Sequence, residues 1–190
     1  MHFLKSIILI FIISCIGYVI SQMYMDNLVP VKSRVDGLIY RVRDLPSKLD
    51  AADFLADINQ RLIKLSRHMI AKYMDDKNVN QLFSNFDKEA LKEGTPKHGN
   101  TSYVYKKGKE FVLCIRHKET GYFVDPNVVM FVAIHELSHV MTETYGHDSH
   151  FMSNFIFLLK EAIDIGVYKR VDFSKYPQDY CGIKITQPII

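Results

Sequence analysis

Three cysteines in 190 residues are too few for a disulfide framework. Cys15 lies in an apolar stretch; Cys114 and Cys181 could pair once, but the simpler expectation is one buried thiol and one loop thiol. The chain also lacks an excess of charge: 24 Lys and Arg against 21 Asp and Glu leave +3, and the basic residues are spread without clusters. That excludes the electrostatic footprint of a nucleic-acid binder, so no nucleic-acid partner is expected. There is no internal repeat and no low-complexity segment. With 48% hydrophobic and 24% charged residues, disorder is excluded too. What remains is one folded domain with an appendage, long enough to bury a core.

The appendage is the apolar stretch "SIILIFIISCIGYVIS" at 6–21, which has no charge and fades through Met23, Tyr24 and Met25. Counted over 6–25 it reaches the roughly 20 residues that a helix needs to cross a bilayer. The reading is an N-terminal anchor, residues 1–25, making a single-pass membrane protein with the lipid bilayer as a partner. A cleaved signal peptide competes, since Lys5 gives a basic start and Val19, Ile20 and Ser21 could be cut. Lys32, Arg34, Arg41 and Arg43 follow the span and lean the C-terminal part towards the cytosol. A hairpin or linker at 26–49 then leads into a domain at 50–190.

Asp36-Gly37 between alternating apolar positions predicts a two-residue turn in a small hairpin. Leu55, Ile58, Leu62, Leu65, Met69 and Tyr73 recur at three- and four-residue steps, predicting a long helix over 50–74 capped by Asp50. A short helix is expected over 80–93, then a polar loop carrying His98. Around Lys107-Gly108, "TSYVYKKGKEFVLCIRH" predicts a second hairpin, and a third strand follows at 122–124. Asp125-Pro126 marks a helix start, a carboxylate at the cap and proline at the first helical position. That helix should run to about Thr144, with another over 149–167 and a short strand at 182–186.

The stretch "FVAIHELSHVMTETYGHDSHF" at 131–151 holds four of the eight histidines. His135 and His139 are four apart, which puts both imidazoles on one helix face, one turn apart. Two nitrogens so placed can reach one Zn²⁺ at about 2.0–2.1 Å each. Glu136 points beside that metal, where it can act as general base on a zinc-bound water, the H-E-x-x-H arrangement of zinc peptidases. Two core histidines bonded to carbonyls are the bland alternative, but a buried Glu136 without a metal nearby would be costly. A catalytic zinc takes three protein ligands and leaves one position open. His147, His150 and Glu161, the last 22 residues past His139, are the candidates for the third.

"HELSH" followed by "GHDSHF" resembles the WLM-type and SprT-like zinc metallopeptidases, in which a G-H-x-x-x-F pattern follows the motif. Gly146, His147 and Phe151 fit it. The segments "SRVDGLIYRVRDLP", "AADFLADI", "DPNVVMFVAIHELSH", "NFIFLLKEAIDIGVY" and "DFSKYPQDYCGIKI" are similar to small membrane-anchored members from large DNA viruses. The resemblance implies a compact zincin-like α+β domain: a small antiparallel sheet, the motif helix and two or three further helices, preceded by the transmembrane helix. It implies a zinc-dependent metallopeptidase acting on protein or peptide substrates, with His135, His139 and His147 as ligands and Glu136 as the catalytic base. Glu161 and His150 stay as alternative third ligands, and Phe151 packs behind the site. His150, Tyr145 or Tyr180 could stabilise an oxyanion, and the "EFVLCIR" strand could pair at an edge with an extended peptide. A Cys181 thiolate on the zinc is a further option, an ordinary packed cysteine being favoured. The alternative function is an inert zinc-binding or membrane-associated scaffold that keeps the fold.

Overall fold

The computed structural model describes residues 6–7, 10–15, 27–95, 102–187 and 189. Residues 10–15 are helical, which at 1.5 Å per residue is about 9 Å against the roughly 30 Å of a bilayer core. Among the described residues no helix is long and apolar enough to cross a membrane. This corrects the expected transmembrane helix over 6–25, and with it the single-pass membrane localisation; the rest of that stretch, like His98, lies outside the described residues.

Among the described residues, seven strands and four α-helices follow. Strands β1 (Leu28–Lys32) and β2 (Ile39–Arg43) form the expected hairpin. Its connection is six residues long, not two: Lys32 pairs with Ile39 across the loop. The reason is local, because Ser33 closes the loop by donating its N–H to the Leu38 carbonyl and accepting from Gly37 N–H. Helix α1 (Lys48–Lys72) starts after Ser47, and Asp50 in its first turn pairs with Arg34 instead of capping. Helix α2 (Lys77–Asn85) is capped by Asp76, which accepts from the backbone N–H of Asn78 and Val79. Where the sequence suggested a helix continuing to 93, the chain instead makes strand β3 (Leu91–Glu93).

Strands β4 (Tyr103–Tyr105) and β5 (Glu110–Leu113) form the second hairpin, as expected. The five strands make one sheet in the order β1-β2-β3-β5-β4. It is mixed, not antiparallel: β3 runs parallel to both β2 and β5. Strand β5 therefore lies inside the sheet and β4 forms the edge, which corrects the expectation that "EFVLCIR" is the free strand. Residues 122–124 contribute a single bridge, Phe123 to Arg116.

Helix α3 (Pro126–Met141) begins as the sequence indicates, with Asp125 Oδ1 accepting from Asn127 N–H at 2.8 Å and Val128 N–H at 3.2 Å. It is apolar on nearly every side and is correspondingly enclosed: Val129, Met130, Ala133, Ile134, Leu137, Val140 and Met141 are all fully buried. Around it pack α1, α2, α4 (Ser149–Asp164) and the sheet. A small hairpin of β6 (Gln178–Tyr180) and β7 (Ile183–Ile185) completes the fold. Its tip brings Cys181 beside the end of β5, with a Cα–Cα distance of 6.3 Å, and Cys114 and Cys181 are disulfide-bonded. The two separate thiols expected from the sequence are thus corrected, and Cys181 has no thiolate to offer a metal.

Candidate metal centre

Four residues of α3 and the loop after it build the site. His135 and His139 project from one face of α3, with ring centroids 5.1 Å apart. After Met141 the chain leaves the helix, and at Gly146 it takes a left-handed turn with φ +88°. No atom lies within 4 Å of where a Cβ would sit, so glycine serves the backbone angle and not close packing. The turn delivers His147 back to the helix, its ring 4.9 Å from both other imidazoles. Asp148 follows at once and caps α4, accepting from Phe151 N–H at 2.8 Å and from the Thr144 hydroxyl at 2.8 Å. That cap fixes the residue beside His147.

The ligating atoms of the three histidines lie within 4.8 Å of one another, and Nε2 of His147 is 3.0 Å from Nε2 of His135. Two nitrogens bound at about 2.05 Å to a tetrahedral ion would be about 3.3 Å apart, so the donor set fits a zinc-sized cation. Phe151, fully buried, floors the group with its ring 4.3 Å from His139, 4.7 Å from His147 and 4.9 Å from His135. Burial, with the neighbouring imidazoles adding to it, pushes His135 down to about 3. Burial, His147 and Lys107 push His139 down to about 4. Both rings are neutral at pH 7 and have lone pairs to give.

Glu136 is 6% exposed. Burial raises its carboxyl to about 8, against the opposing effect of the Val104 backbone. The cleft above it holds about 350 Å³. Besides the motif residues it is lined by residues 102–104 of the edge strand and its lead-in, by Lys107, and by Tyr145, Gly146 and His147.

The other candidates fall elsewhere. Glu161 is 8% exposed in α4 and accepts from the Tyr73 hydroxyl at 2.6 Å and Lys72 Nζ at 3.0 and 3.1 Å, with His68 Nε2 at 2.6 Å. It is not part of the three-histidine group. His150 is exposed at the start of α4 and does not line the cleft. Tyr145 does line it and is 82% exposed. Tyr180 is buried behind it, hydrogen-bonded to Ser102 Oγ at 2.6 Å. Sequence reasoning missed the contribution of Ser102, Tyr103, Val104 and Lys107 to the cleft. The only signal was a hairpin pattern close before the motif helix, which says nothing about which of its strands lies at the edge.

No protein-family model matches the chain. It is similar to the uncharacterized protein R325 of Acanthamoeba polyphaga mimivirus, 34% identical over 193 residues that span 100% of this chain and 98% of that protein. A shorter match, 33% over 85 residues, reaches the uncharacterized protein 136R of Invertebrate iridescent virus 6 and spans 44% of this chain and 46% of that one. The uncharacterized protein 042R of Invertebrate iridescent virus 3 matches at 37% over 83 residues, 43% and 50% of the two chains. Among solved structures, Wss1 from Saccharomyces cerevisiae has a similar fold. Its TM-score is 0.52 at 18% identity, covering 73% of this chain and 97% of that one. That likeness concerns the fold alone.

Proposed function

We propose that the chain, which belongs to the same viral protein family as mimivirus R325, is a zinc-dependent metallopeptidase that hydrolyses peptide bonds of a protein substrate. The observation that carries this reading is the convergence of three imidazoles beside a buried carboxyl in an open cleft. His135, His139 and His147 are the ligands in this reading. A zinc ion held there supplies Lewis acidity to the scissile carbonyl and brings the pKa of a water towards about 7.

The protein's own groups do the rest. Glu136 takes a proton from the attacking water and delivers it to the leaving amine, so it must cycle between both protonation states. Burial raises its carboxyl to about 8, which favours retention of the accepted proton until the amine leaves. With a cation held by the three histidines, the Glu136 carboxylate with which the cycle starts would be favoured by the nearby positive charge. Strand β4, the edge strand of the sheet among the described residues, lines the cleft, where an extended peptide lying along it would present its scissile bond to the site.

Glu136→Gln separates this reading from an inert metal-binding scaffold. The peptidase reading requires hydrolysis of a denatured-protein or peptide-library substrate by the parent chain, lost in the variant while bound zinc is kept. Equal effects of parent and variant in every assay would favour the scaffold.

A further inference from the structure

The segment between His139 and His147 has no regular structure after Thr142, and residues 143–150 are exposed. Something must hold it, since the third histidine hangs on its path. The structure places a lysine from another element underneath it. The β4–β5 turn carries Lys106 at φ +46° and Lys107 at φ +54°, two consecutive non-glycine residues in the left-handed region. That conformation is disfavoured for residues with a side chain and persists only where the surroundings impose it. Here the turn is wedged against α2: a Cβ on Gly108 would come within 2.4 Å of the Asn85 carbonyl oxygen, so only glycine fits.

The strained turn aims the Lys107 ammonium at the C-terminal end of α3. Lys107 Nζ donates to the carbonyl of Thr142 at 2.6 Å and of Thr144 at 2.8 Å, and lies 3.4 Å from that of His139. The Tyr145 ring covers the same ammonium at 4.3 Å. The helix end presents unsatisfied carbonyls and a partial negative charge, which a cation answers. Lys107 therefore grips both the last turn that carries His139 and the segment that leads to His147.

We propose that Lys107 is a positioning residue for the metal centre, holding residues 142–145 on the path that returns His147 to His135 and His139. The inference rests on the zinc reading above and adds a residue outside the motif. Removing the ammonium leaves the carbonyls of residues 142 and 144 to water and frees the segment, so the third imidazole must be ordered when the metal binds.

The test uses the full chain and three variants, Lys107→Met, Lys107→Gln and Lys107→Arg. Zinc affinity is measured by competition with a chromophoric chelator, the cobalt(II) form by visible absorption and the fold by circular dichroism. Supporting partners of metal ligands typically contribute 10–100-fold in affinity, and a loss of about that size is expected for Lys107→Met. Its cobalt absorption should weaken while the far-ultraviolet spectrum stays parental, and Lys107→Arg should regain most of the affinity. Parental affinity and cobalt spectrum in Lys107→Met would overturn the inference while leaving the zinc site standing. If the parent binds no zinc, the metal reading fails first and takes this inference with it. Should Lys107→Met not fold, Lys107→Gln against Lys107→Arg carries the test: weakened binding restored by arginine supports the role, and parental binding in both overturns it.

Discussion

Among the described residues two clusters of histidine and carboxylate occur, and their chemistry is opposite. Around Glu161 the buried carboxylate is answered by donors. Burial alone would raise that carboxyl, but donors from Tyr73, His68 and Lys72 outweigh it and hold the pKa down at about 2. The result ties α1 to α4. Around His135, His139 and His147 burial is not answered: it pushes two imidazoles down and the adjacent Glu136 up. Both groups could be drawn around a cation, the Glu161 group as His68, Glu161 and Asp164. Yet a dication near Glu161 would have to displace the Lys72 ammonium already there. The difference teaches that a satisfied cluster is a strut, whereas an unsatisfied one is prepared for a ligand.

The contrast can be broken from either side. The largest effect is expected for Glu136→Gln, which should lower peptide hydrolysis by about 10²–10⁴-fold, the usual range for a proton-transferring group, with zinc content unchanged. Phe151→Ala removes the buried floor beneath all three imidazoles, and its stability, read by denaturant unfolding, should fall by about 3–5 kcal/mol. Glu161→Ala should cost about 2 kcal/mol, from the lost charged hydrogen bonds, and leave zinc binding intact. If zinc vanished with Glu161, the two clusters would have to exchange roles.

The smallest effect is one of pH. Glu161 has a folded pKa below its ordinary value of 4.5, so its contribution is full above about pH 4.5 and is lost as pH falls towards about 2. The acid limb of the stability curve in Glu161→Gln should be flatter across that window than in the parent. Parallel curves would show that the cluster contributes nothing.

The motif helix, its Asp125-Pro126 start, the long helix α1 and both hairpins were legible because each carries its own local pattern. The pair His135 and Glu136 with His139 was legible for the same reason: helical spacing places them. Strand β3 was not. Three residues, Leu91, Lys92 and Glu93, have no periodicity to read, and their parallel partners lie about 20 and 50 positions away. The mixed sheet and the edge position of β4 follow from that pairing and were hidden with it. The Cys114–Cys181 bond, with a sequence separation of 67, depends on where a small C-terminal hairpin docks. At the apolar N-terminal stretch, composition suggested a span that no described helix supplies. Lys107 looked like any turn lysine until the fold put the end of α3 beside it.

The most direct measurement is the zinc content and affinity of the full chain beside His135→Ala and His147→Ala. About one zinc per chain in the parent, lost or sharply weakened in both variants, is the expected result. A parent that takes up no zinc after zinc-supplemented refolding, or variants that both keep it, would contradict the account.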